Sequence, residues 1–188
     1  VDGALGAFLK IDAASTFAEL RDALRSYVAP AQNFVYADLE GNIGFQIPGR
    51  IPLRPNGDDG RRPVDGSTGA HDWTGYVPFD ELPALYNPPD GLIVTANNKP
   101  VDDAYPYHLG NEWDGGWRAT RIRDLLDAAA ADGGVTQADL AAIQNDARLL
   151  RADALVDALA GADPVTDDGR EVQRLVAGWN GTCDLDSQ

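Results

Sequence analysis

The sequence has a single cysteine, Cys183, and no methionine. One thiol cannot close an internal disulfide or make a Cys-x-x-Cys pair, so disulfide scaffolds and cysteine-bound zinc folds are excluded. Without Met at position 1, the chain reads as a processed product, a proteolytic piece or a cut segment of something longer. No apolar run approaches the ~20 residues of a bilayer-spanning helix, and the first residues do not read as a secretory signal, so no membrane partner is expected. Positive charge is scarce too, with 15 Lys+Arg against 30 Asp+Glu and a net charge of −15. Such a surface repels phosphate backbones and argues against nucleic acid. Of the acids 25 are Asp, and of the bases 13 are Arg. That bias suits a GC-rich genome, and equally a high-salt habitat where negative charge keeps a protein dissolved. What remains is ordinary: 188 residues, 44% apolar and 24% charged, suit one globular domain or two small ones.

Thr16 and Glu19 form a Thr-x-x-Glu capping box. Behind it Phe17, Leu20, Leu24, Tyr27 and Val28 recur at helical spacing, which predicts a helix ended by Pro30. From Asn33 to Leu39 the residues turn aromatic and β-branched. Glu40-Gly-Asn42 then separates them from Ile43-Gly-Phe-Gln-Ile47, the pattern of a hairpin. Residues 48–72, rich in Pro, Gly, Asp and Arg, read as a long ordered loop packed by Trp73, Tyr76, Val77, Phe79, Leu82 and Leu85. Leu92-Ile-Val-Thr-Ala96 reads as a short strand buried on both faces. From Arg118 on, helical spacing dominates, with a break at Gly133-Gly134, a second capping pair at Thr136 and Asp139, and a last helix from about Asp168 to Trp179. The layout is α+β, a sheet and loop portion over 1–117 and a helical portion over 118–188.

Self-contained catalytic motifs are missing. Gly66-Ser-Thr-Gly69 is not a nucleophile elbow, and there is no His-Glu-x-x-His and no P-loop. His71, His108 and Cys183 read as structural or surface groups. Asp38, Glu40 and Asn42 could suggest calcium, but their spacing fails the EF-hand pattern and a hairpin turn explains them. The pair Asn97-Asn98 is more informative. Placed at a strand end, such an amide either caps a turn or points its NH₂ at a developing oxyanion.

Several segments, in order, resemble the penicillin acylase (penicillin amidase) family: Ala29-Pro-Ala-Gln-Asn-Phe-Val-Tyr-Ala-Asp38, Gly41-Asn-Ile-Gly44, Pro48-Gly-Arg-Ile-Pro52 and Pro63-Val-Asp-Gly66. Asp72-Trp-Thr-Gly-Tyr-Val-Pro-Phe79, Tyr86-Asn-Pro-Pro89, Thr95-Ala-Asn-Asn98, Asp103-Ala-Tyr-Pro-Tyr107, Trp117-Arg-Ala-Thr-Arg-Ile122 and Leu175-Val-Ala-Gly-Trp-Asn-Gly181 continue the match over essentially the whole chain. The resemblance implies part of an αββα N-terminal-nucleophile hydrolase fold, an internal segment of the β chain. The activity implied is hydrolysis of linear amides: β-lactam side chains, N-acyl homoserine lactones or similar N-acyl compounds. In that family a Ser exposed by autocleavage attacks the carbonyl with its own α-amine as base. Val1 is not that nucleophile, so this chain alone is expected to be inactive.

Carried over by position, Asn97 matches the oxyanion-hole asparagine, and Arg118 the arginine that orients it, with Arg121 as a rival. Gln32 matches an acyl-pocket position that is aliphatic in benzylpenicillin-type members. No cofactor is expected. Calcium, which some members bind, gets little support: Gly60 could offer only a carbonyl, Leu109 has no ligating side chain, and Asp102 and Asp103 fall off the alignment. The implied partners are an N-acyl small molecule and the remainder of the α and β chains of the same precursor. The implied location is periplasmic or extracellular. A non-catalytic binding or structural domain on the same scaffold is the alternative.

Overall fold

The computed structural model describes residues 3–185, divided into two compact units. The first runs through Thr95 and includes Lys99–Trp113; the second comprises Ala96–Asn98 and the described residues from Asp114 onward.

The first unit opens with two short helices, α1 (Ala4–Ile11) and α2 (Phe17–Leu24). Only α2 was expected. Ala4, Ala7, Phe8 and Ile11 carry the helical spacing that would have revealed α1. The capping box is complete: Thr16 Oγ1 accepts from Glu19 N–H at 3.2 Å, and Glu19 Oε2 accepts from Thr16 N–H at 3.2 Å. Helix α2 stops well before Pro30. Its last turn tightens, with Ser26 and Tyr27 N–H donating to Ala23 and Leu24 C=O, while the Ser26 hydroxyl also donates to Ala23 C=O at 2.9 Å. Tyr27 is still buried, packing with Ala7, Phe17, Leu20 and Leu24.

Strands β1 (Phe34–Ala37) and β2 (Ile43–Gln46) form the expected antiparallel hairpin, with Val35 opposite Phe45. Asp38 makes the turn. Its carboxylate accepts Glu40 and Asn42 N–H at 3.0 and 2.9 Å, the Asn42 amide at 2.8 Å and the Tyr36 hydroxyl at 2.8 Å. These bonds, led by the Asn42 amide, hold the carboxyl below its usual range. Burial and then Asp38 push the Tyr36 phenol up to about 12.

The long loop carries a small ladder of its own, β3 (Pro52–Leu53) with β4 (Gly75–Tyr76). Strand β5 (Ala84–Tyr86) then joins β2, giving the order β1-β2-β5. Gly44 is required in the central strand, because a Cβ there would sit 2.5 Å from the Phe17 ring, which stacks on Tyr86 at 5.0 Å. Residues 92–95 form no strand, correcting the expectation. They are half-buried and join no ladder, and Ala96 is the buried residue of that run.

In the second unit the helices are α3 (Trp117–Ala131), α4 (Gln137–Gln144), α5 (Ala152–Ala160) and α6 (Asp167–Ala177). The Thr136–Asp139 capping box opens α4 as expected. Gln173 on α6 donates to Leu159 and Ala162 C=O at 2.7 and 3.0 Å, satisfying carbonyls at the end of α5.

Candidate functional site

Ala96–Asn98 makes a bend in the second unit. Asn97 has φ +60, a left-handed conformation that Asn tolerates better than most residues. The bend is closed by Asn98 Oδ1, which accepts Ala96 N–H at 3.0 Å. Asp114 N–H then donates to Asn97 C=O at 2.8 Å, and Asn98 and Asp114 form a parallel bridge. Gly116, at φ +82, turns the chain into α3, with Asp114 Oδ1 accepting its N–H at 3.1 Å.

This start places Arg118 on the first turn of α3. Its Nη2 donates to Asn97 Oδ1 at 2.7 Å and to Ala96 C=O at 2.9 Å, and its Nε lies 3.5 Å from Asp114 Oδ2. The arginine therefore fixes which way round the Asn97 amide sits. The oxygen is engaged by a cation, and the NH₂ has no acceptor among the described residues of an exposed side chain. A charged donor on the oxygen polarises the amide and strengthens its N–H groups as donors. What the arrangement offers chemically is one oriented amide NH₂ for an anionic oxygen.

Asp114 was missed in the sequence. Its backbone holds Asn97 and its carboxylate flanks Arg118. The Asp-to-Arg spacing of four residues was the available signal. Arg121 is occupied elsewhere, its Nε and Nη2 donating to the two Asp146 oxygens at 2.9 and 2.8 Å. That pairing holds Asp146 below the usual carboxylate range and raises Arg121. Gln32 belongs to the first unit, where it is exposed two residues before β1. His71 Nδ1 meets Asp58 Oδ2 at 2.5 Å, and Cys183 is exposed.

Of the residues considered for calcium, Leu109 and Asp103 do not fit it. Leu109 packs against the apolar cluster of Ile51, Val77 and Leu82, and Asp103 pairs with Lys99 at 2.5 Å. Among the described residues no three His, Cys, Asp or Glu side chains gather as a metal site.

The penicillin amidase family profile matches residues 2–188. The chain belongs to that family. It is 36% identical over 184 residues to penicillin acylase 2 proenzyme of Pseudomonas sp. (strain SE83), covering 95% of this chain and 23% of that protein. It is 37% identical over 131 residues to the acyl-homoserine lactone acylase QuiP of Pseudomonas fluorescens, covering 70% of this chain and 16% of that one. Among solved structures, the thermostable penicillin G acylase from Alcaligenes faecalis superposes with a TM-score of 0.70 at 27% identity. The match covers 98% of this chain and 33% of that one. The α+β class expected from the sequence agrees with this structural match. The chain spans about a quarter of the length of the Pseudomonas penicillin acylase and less of the lactone acylase. No described helix is long and apolar enough to cross a membrane.

Proposed function

We propose that this chain is the oxyanion-stabilising part of an amidase that hydrolyses linear amides of N-acyl compounds. The nucleophile, an N-terminal Ser, lies outside this chain. When its hydroxyl adds to the acyl carbonyl, the α-amine takes the proton and negative charge develops on the carbonyl oxygen. Asn97 Nδ2–H donates to that oxygen, and Arg118 holds the amide in the donating orientation. Gln32 contributes to the acyl pocket, where its polarity disfavours a phenylacetyl group. The substrate class is β-lactam side chains, N-acyl homoserine lactones or similar N-acyl compounds, in keeping with the names of the relatives. The rest of the precursor's α and β chains completes the site, and the location is periplasmic or extracellular.

The observation that carries this reading is the Asn97 amide, with its oxygen fixed by Arg118 at 2.7 Å and its NH₂ unengaged among the described residues. The test is Asn97→Ala in the full-length enzyme. Turnover number is expected to fall roughly 10²–10³-fold with the melting temperature unchanged. Near-normal turnover would assign Asn97 to the bend alone.

A further inference from the structure

Most arginines of this acidic chain hold a carboxylate, as Arg25 does on Asp80 at 2.6 Å and Arg121 on Asp146 at 2.8 Å. Three on the long loop of the first unit hold none among the described residues: Arg50, Arg54 and Arg62. Arg50 lies over the Tyr76 ring at 5.6 Å and Arg54 over Trp73 at 5.7 Å. The two rings meet edge to face at 6.3 Å. Pairing of β3 with β4 fixes this spacing, and both rings are exposed, Trp73 by 58% and Tyr76 by 44%. Beside them is a hollow of about 710 Å³ whose lining includes Arg54, Arg62, Val64, His71 and Trp73.

The acids in its wall are already used. Asp58 meets His71 at 2.5 Å, and Asp59 accepts Arg61 N–H at 3.0 Å and Arg61 Nε at 2.6 Å. Bonds from Asn56 to Ala70 C=O at 3.1 Å and from Asn111 to Asp59 C=O at 2.8 Å fix the loop. The result is a built patch in which Arg54 and Arg62 hold no carboxylate among the described residues, on a chain of net charge −15. A guanidinium attracted to a ring face at this distance keeps N–H groups open for a carboxylate. Trp, Tyr and Arg together are the composition of buried interface centres. A hollow of this size takes several side chains. Three-quarters or so of a protein of this type also lies outside the chain, which covers 23% of its Pseudomonas relative.

We propose that this face of the long loop is the docking surface for an acidic segment from the rest of the same polypeptide. Its Asp or Glu side chains would sit on Arg54 and Arg62, with an apolar residue against Trp73 and Val64. The inference rests on the reading of this chain as one part of a larger amidase.

The test is arginine-selective dicarbonyl labelling of the folded full-length protein, resolved by residue with mass spectrometry. Arg62 is expected to react about tenfold slower than Arg151, an exposed arginine that also lacks a carboxylate here. Arg62→Glu is expected to lower the melting temperature by several degrees, with Arg151→Glu leaving it unchanged. Equal labelling of Arg62 and Arg151 overturns the proposal. Protection that appears only with added phenylacetate also overturns it, in favour of a small-carboxylate site. Turnover measured on the same samples separates the two readings. A freely labelled Arg62 in an active enzyme sinks the docking surface alone, whereas a protected Arg62 in an inactive one sinks the amidase reading alone.

Discussion

Two side-chain amides in this molecule are each held by an arginine, with different outcomes. Gln46, on the central strand of the sheet, is fully buried. Arg21 Nε donates to its Oε1 at 2.8 Å, and its NH₂ donates to Ile47 and Pro83 C=O at 3.0 and 3.3 Å. Asn97 likewise has an arginine on its oxygen, Arg118, but its NH₂ donates to no acceptor among the described residues and the residue is exposed. In the first case the amide's capacity is spent joining β2 to α2 and to the approach to β5. In the second, half of it is held in reserve. An arginine–amide pair is therefore a structural joint when both ends of the amide are used, and a candidate binding group when only one is.

The comparison is broken most directly at Arg118. Arg118→Leu in the full-length enzyme removes a charged hydrogen bond of about 1.5–3 kcal/mol, so turnover should drop roughly 10- to 100-fold. The side chain is 57% exposed, so the fold should survive. A drop in melting temperature that parallels the drop in turnover would make Arg118 a joint like Arg21. At Gln46 the expectation is reversed. Gln46→Leu removes the acceptor of Arg21 Nε and the side-chain donor to Ile47 C=O, while Pro83 C=O keeps Ile47 N–H at 3.0 Å and Arg21 keeps Asp80 at 3.4 Å; it should cost about 1–3 kcal/mol in denaturant unfolding. An unchanged unfolding midpoint would show that water replaces the amide there.

The smallest effect is on pH. Asp38 and Asp146 have carboxyls held low by their partners, the Asn42 amide and Arg121 respectively. A folded-state pKa below the unfolded one contributes stability that is complete above the unfolded value of about 4. It is lost as pH falls through the folded value. Melting temperature should therefore hold from neutral pH down to that range and decline below it. A decline beginning well above that range would show that these two carboxyls do not set the acid limb of stability.

Much of the scaffold was legible because its signals are local. Thr16 with Glu19, Thr136 with Asp139, and the turn at Glu40 to Asn42 each lie within a few positions, and each appears in the structure. Misreadings came where distant partners decide. Residues 92–95 are apolar enough for a strand but find no ladder, and β5 depends on pairing with β2 across the long loop. At the site, the asparagine drew notice by its place in the sequence, but the link between Asn97 and Arg118 came from the family resemblance, since their pairing spans 21 positions that no periodicity connects. Asp114 escaped notice because its main contribution is a backbone N–H, which every residue but proline carries.

The order β1-β2-β5 leaves β2 flanked on both sides, while β1 and β5 each have an outer row of backbone groups facing no strand among the described residues. Val35 on β1 and Leu85 and Tyr86 on β5 are exposed. Such rows act as templates for strands from another molecule. The isolated chain is expected to associate through these edges, and apparent stability is then expected to climb with protein concentration by mass action. Thermal scans of the 188-residue chain belong on a dilution series, with the monomer's value taken at the dilute limit.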